Sequence, residues 1–385
     1  MERTTKARAI GAEGFIWLAA ILGFFCWFAA RMGVANMFGT MMSTGHDLLL
    51  NTCFFLSAVC TLAGAVGALF SEFGVIAIAN KALYPLMQPL YGLPGAASVG
   101  VVTTFLSDNP AILPFAADDN FRRYFKKNQF SSLVNLGTAY GMGLIVVTFM
   151  IAQGAVNGTN YIKPVLIGLL GALLGSVISV RLMQLMTRNE PDAFDSVAAD
   201  DGNDFDIMNY REIRKGSYVQ RFMEAILDGG KKGFDMSMVI APGIITICTI
   251  VMMLTKGPGA GGVYNGGAYQ GVDAIRIVGG YLNAVLNPLF GFKDPTVIIF
   301  PLTSLGAVGA AIGTVPQMIK DGIAGPNEIA VFTAIGICWS GFLSTHIAMM
   351  EAIGDRKNTM KAISSHAVGG LLAGILAHFI FIALM

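Results

Sequence analysis

Charge is the scarcest property of this chain: only 13% of its 385 residues are Asp, Glu, Lys or Arg, against about 25% in soluble domains. The charges crowd into a few loops, and between them run stretches with none at all: 48–71, 82–107, 129–162, 164–180, 295–319, 329–350 and 362–385. Crossing the hydrocarbon core takes about 20 mainly apolar residues, which most of these stretches supply. A soluble globular domain is excluded, and the lipid bilayer is the first partner. The net charge of +1 offers no basic face, so nucleic acid is not expected. Cysteine is sparse too. The five present (Cys26, Cys53, Cys60, Cys248, Cys338) sit in apolar segments without CxxC spacing, which argues against a disulfide framework or a zinc site. No phosphate-binding Gly-Lys-Ser/Thr loop, HExxH or GxSxG motif occurs. The chain is therefore read as neither an ATP motor nor an enzyme, with no cofactor expected.

What is present is a succession of apolar segments: 14–32, 49–70, 74–90, 95–117, 130–153, 162–186, 236–255, 272–290, 294–317, 328–352 and 362–385. The basic start (Arg3, Lys6, Arg8) before the first of them resembles a signal peptide, but with so many later spans it reads as a transmembrane helix. One long polar insert, 187–232, is acidic first and mainly basic afterwards. It divides the chain into an N-terminal helix (1–48), a first unit (49–186), the linker (187–232) and a second unit (233–385). Lys and Arg mark the cytoplasmic side. They place 118–127, 187–232 and 353–361 inside, and the uncharged loops 154–161 and 257–271 outside. A bacterial inner (cell) membrane is the expected location.

The two units share a register. Pro89-Leu90-Tyr91-Gly92 matches Pro288-Leu289-Phe290-Gly291, and Asn128-Gln129 matches Asn327-Glu328, both at a shift of 199 residues. Gly137 then falls on Gly336 and Tyr140 on Trp339. Segment 130–153 points outward while its mate 328–352 points inward, so the repeats are inverted. The fold class expected is an all-α polytopic membrane protein with two inverted-topology repeats and re-entrant or broken helices. In such architectures the solute site lies near the midplane, where broken helices meet.

The breaks are written as turn signals inside apolar runs: Ser107-Asp108-Asn109-Pro110 in one unit, Pro301 to Gly306 and Gly313 to Pro316 in the other. Irregular backbone at depth must line a cavity or be covered by protein. An intramembrane carboxylate such as Asp108 is a functional candidate once truly buried. The candidate set is Ser107, Asp108, Asn109, Asn135, Thr138, Thr303, Ser304, Ser340, Ser344 and His346. Ser340 and Ser344 share a helix face at i, i+4, and His346 is the candidate proton-coupling group. The competing reading for each Ser and Thr is interhelical hydrogen bonding without a ligand.

This layout resembles the Gate, or nucleoside-recognition, group of membrane proteins. That group includes YjiH-like inner-membrane proteins and spore maturation proteins, with distant similarity to concentrative nucleoside transporters. The resemblance rests on Pro89-Leu90-Tyr91-Gly92, Ser107-Asp108-Asn109-Pro110 and Asn135-Leu136-Gly137-Thr138. It departs from symmetry at Asp108, whose mate is Ala307. The expected function is secondary active transport of a small polar solute (nucleoside-, amino-acid- or peptide-like), coupled to Na⁺ or H⁺ and open to homo-oligomerisation. A passive channel, or a structural or regulatory membrane protein needing a partner, stays open at this level.

Overall fold

A computed structural model describes residues 9–197, 210–274, 281, 284, 285 and 287–385. Residues 275–280, 282, 283 and 286 of segment 272–290, and 198–209 of the linker, lie outside the described residues. Among those described, the architecture is helical, with a single isolated bridge between Lys126 and Ser196. Among the described residues five helices are long and apolar enough to cross a membrane, or six when one bent pair is counted as a span.

The chain opens with α1 (Ala12–Met32) and α2 (Val34–Asp47). The sequence reading has no helix between 33 and 48. Gly33, at φ 80°, ends α1 and turns directly into α2, which runs through a π-helical stretch, Leu48–Cys53, into α3 (Phe54–Glu72). Then α4 (Val75–Tyr91) turns 83° away from α3. At that angle α4 does not continue the axis of α3.

The first broken unit follows. Helix α5 (Ala97–Leu106) stops at Ser107, and the chain resumes in short turns, Asn109–Ile112 and Leu113–Ala116. Helix α6 (Leu133–Thr138) and helix α7 (Gly143–Ala152) are halves of one interrupted crossing. Unbroken α8 (Ile162–Thr187) closes the unit. The next helix, α9 (Tyr218–Thr255), starts well before the expected residue 236. Ser217 caps it by accepting the Gln220 N–H. Its first turns are anchored because Arg221 and Arg214 bind the buried carboxylate of Glu72 at 2.6 and 2.8 Å.

The second unit repeats the pattern. Helix α10 (Ile299–Ser304) and helix α11 (Val308–Ile312) are interrupted at Leu305–Ala307. Helix α12 (Pro326–Trp339) and helix α13 (Phe342–Ala352) are interrupted at Ser340–Gly341, and α14 (Thr359–Leu384) is unbroken. The symmetry extends to backbone angles at positions 199 apart. Gly92 and Gly291 end their helices at φ 65° and 67°, Met142 and Gly341 stand at φ 56° and 75°, and Asp108 and Ala307 are both extended.

The units meet along α8 and α14. A Cβ added at Gly175 would fall 2.5 Å from the Ala373 Cβ and 2.6 Å from the Gly369 carbonyl. Small residues let these helices touch backbone to backbone, which is how helices associate where lipid supplies no hydrophobic drive. On the basic-loop face, the segment after α8 clamps both units. Glu190 binds Lys357 and Lys361, each at 2.7 Å, while Asp192 binds Lys127 at 3.1 Å.

Candidate functional site

Each helix break strands backbone groups that must find partners. At the end of α5, the Ser107 hydroxyl donates back to the Thr103 carbonyl at 2.6 Å. Asp108 is extended, and its carboxylate accepts the Asn109 N–H at 2.7 Å, while Pro110 has no N–H to strand. Further bonds run across the repeat. The Asn109 amide donates to the Ser340 carbonyl at 2.9 Å and to the Thr345 hydroxyl at 3.3 Å. The Ser340 hydroxyl donates to the Gly141 carbonyl at 2.8 Å, joining the breaks of α6–α7 and α12–α13. The Gly341 and Leu343 N–H groups donate to the Ser304 and Leu305 carbonyls at 2.8 and 3.1 Å, tying α13 to the end of α10. All four interruptions are thus knotted together at one point.

Only glycine fits at the tightest place in this knot. A Cβ at Gly141 would lie 1.5 Å from the Asn109 Oδ1. That oxygen is buried and accepts no hydrogen bond among the described residues.

A cavity of about 380 Å³ opens at the junction. It is walled by Asp108, Met142, the stretch 306–310, Ser340, Gly341 and Thr345 from the broken helices, and by Leu48 and Thr52 beside α3. Helix α9 and the following loop add Ile244, Cys248, Met252, Lys256 and Tyr269. Tyr269 stands at φ 62°, in the loop expected outside. Its N–H donates to the Thr44 hydroxyl at 2.9 Å and its hydroxyl donates to the Asp47 carboxylate, so α2 holds it in place. The volume is at the lower end of the range for small-molecule sites.

Of the sequence candidates, Asp108 and Ser340 line the cavity and Asn109 supports it from behind. Ser107 stands in the break and bonds to its own helix. Thr303 and Ser304 are buried in α10, where the Ser304 hydroxyl donates to the Phe300 carbonyl. The side chain of Ser344 lies outside the described residues. Asn135, Thr138 and His346 are not among the residues lining the cavity. The Asn135 amide donates to the hydroxyls of Ser365 and Ser179 at 2.8 and 3.1 Å. The Ser179 hydroxyl pairs with His366 Nδ1 at 2.8 Å, His366 Nε2 meets the Cys338 carbonyl at 2.7 Å, and the His346 ring lies tilted against the His366 ring, 4.6 Å between centroids. The Thr138 hydroxyl faces the Met349 sulfur at 3.9 Å. This fully buried cluster joins α6, α8, α13 and α14, as polar side chains do between membrane helices.

Sequence reasoning missed Met142, Thr345, Lys256 and Tyr269. Two signals were legible: the glycines flanking Met142 in Gly141-Met142-Gly143, and a single Lys closing the apolar run before residue 257.

No protein-family model matches the chain, and no curated protein matches it in sequence. Solved structures do. A doubly substituted variant of the concentrative nucleoside transporter CNTnw, in an outward-facing state, aligns over 98% of this chain and 95% of its own at a TM-score of 0.51 and 11% identity. The chain shares the CNTnw fold. CNTnw in an inward-facing substrate-bound state aligns over 97% and 85% at a TM-score of 0.46 and 12% identity. At 11% identity the likeness to the outward-facing structure establishes the architecture alone: an all-α, multi-pass membrane protein of two inverted repeats with broken helices.

Proposed function

We propose that this chain is a secondary active transporter that moves a small polar organic solute, coupled to Na⁺ or H⁺. The observation that carries the reading is the cavity at the meeting point of four helix interruptions. Broken helices presenting unwound backbone and a few polar side chains to a midplane cavity are how secondary transporters bind solute. The fold shared with CNTnw supports the same reading. Asp108 offers a carboxylate with acceptor capacity to spare, and Ser340 and Thr345 offer hydroxyls from the opposite repeat. The two units, 49–186 and 233–385, would rock about the knot, and the Gate-group resemblance belongs with this proposal.

The cavity is bounded by Tyr269, from the loop expected outside, while the basic loops carry the clamp on Glu190. In this reading the site faces outward, and the membrane is the cell membrane. Uptake by purified protein in proteoliposomes, across a metabolite panel and with imposed Na⁺ or H⁺ gradients, tests this. Saturable, gradient-dependent accumulation of one solute class is expected. Its absence for every class under both gradients contradicts transport, and flux that never saturates would instead mark a channel.

A further inference from the structure

The wall contributed by α9 holds a charge that the binding scheme above leaves unused. Lys256 follows the last residue of α9 in extended conformation, φ −88° and ψ 156°. Its backbone is pinned on both sides: its N–H donates to the Met252 carbonyl, and its own carbonyl accepts the Asp273 N–H, each at 2.8 Å. The side chain therefore springs from a fixed root into the cavity wall. Its ammonium makes no ion pair and no hydrogen bond among the described residues. Burial lowers its pKa from the ordinary lysine value. A half-buried cation facing a cavity without a counter-ion pays a desolvation cost that an incoming anion would repay.

Asp108 lines the same cavity, and the one hydrogen bond its carboxylate accepts is from its own neighbour, Asn109. An ionised carboxylate has about four acceptor positions. Another carboxylate near this wall, Asp47, is already engaged by the Tyr269 hydroxyl and by the Asn51 amide at 2.8 Å. One uncommitted positive group and one uncommitted negative group thus share a chamber of about 380 Å³. A neutral nucleoside would leave the ammonium bare. A phosphate dianion would call for more than one cation, and guanidinium forks are the usual partners of such groups; among the described residues no arginine lines this cavity.

From this pairing we infer that the solute is zwitterionic, an amino-acid-like molecule whose carboxylate is bound by Lys256 and whose ammonium is bound by Asp108. The inference rests on the transporter reading of the same cavity and narrows its substrate class.

The test is a thermal-shift titration of the purified full-length protein against the twenty protein amino acids, their methyl esters and uridine. Wild type, Lys256→Gln and Lys256→Arg are compared, and each variant is checked for the wild-type elution profile. At least one amino acid should stabilise the wild type, while its methyl ester, which lacks the carboxylate, should not. Lys256→Gln should weaken that amino acid by about tenfold or more, and Lys256→Arg should restore most of the affinity. Uridine binding equally to wild type and Lys256→Gln, with no amino acid bound, overturns the zwitterion and leaves the transporter standing. Amino-acid binding unchanged in Lys256→Gln also overturns it and reassigns Lys256 to a closing ion pair with Asp108. If no probe binds, the zwitterion is again overturned. The proteoliposome panel then decides whether transport falls with it.

Discussion

The two breaks at Asp108 and Ala307 have nearly the same backbone and entirely different chemistry. Both residues are extended, at φ −153° and −161°, and each sits between a helix that stops and another that begins. One presents a carboxylate to the cavity and the other a methyl group. The same contrast runs through the second pair of interruptions: glycine at 141 faces serine at 340, although the two are bonded to each other. Duplication supplied the architecture twice, while the polar groups of the site were placed on one copy or the other. The cavity is a single asymmetric chamber between two frames of matching backbone.

Exchanging residues between the frames probes that contrast most sharply. Gly141→Ser imports the mate's residue and should have the largest effect, because the new Cβ would strike the Asn109 amide at 1.5 Å. Overpacking at so tight a point is expected to cost about 3 kcal/mol or more, read as a lower melting temperature in detergent with loss of uptake. A Gly141→Ser protein as stable and active as the wild type would mean that the interruptions do not meet as described.

Asp108→Ala makes the first break chemically identical to the second. Loss of a cap costs about 1 kcal/mol of stability, so the protein should fold. Uptake should fall by about tenfold to a hundredfold, the loss of one charged hydrogen bond. Unchanged uptake would show that the asymmetry has no role in binding.

The clamp on the opposite face gives the smallest effect. Burial alone would raise the carboxyl of Glu190, but hydrogen bonds from the Lys357 and Lys361 ammonium groups outweigh it and hold it below its ordinary value. A group lowered in the folded state adds stability above its unfolded pKa of about 4.3. That stability is lost as pH falls through the lower folded value. Glu190→Gln should cost about 1 kcal/mol at neutral pH and flatten the drop in melting temperature below pH 5. A variant with the wild-type pH profile would remove the clamp from the account.

Much of the frame was legible in the sequence because it depends on local signals. Uncharged stretches announced the crossings, Pro89 to Gly92 and its mate set the register, and Ser107 to Pro110 marked a real interruption. The contents of the cavity were less legible, because they depend on contacts between distant residues. Asn109 finds its partner Ser340 across 231 positions. Asn135 and His346 lie on helices that touch the junction, yet packing against α8 and α14 turns them away from it. Lys256 reads as an ordinary end-of-helix cation until the loop that follows folds Tyr269 against the same wall. The break at Gly141–Met142 lies inside an otherwise apolar run, marked only by the glycines on either side of Met142.

The central claim, that solute passes through the chamber where the four interruptions meet, is most directly tested by thiol labelling at Gly309. This residue lines the cavity and has open space around its Cβ position, so Gly309→Cys in a cysteine-free background should fold and transport. Treatment with a membrane-impermeant maleimide from the outer side should label it and abolish uptake in proteoliposomes. Complete labelling with uptake unchanged would contradict the account.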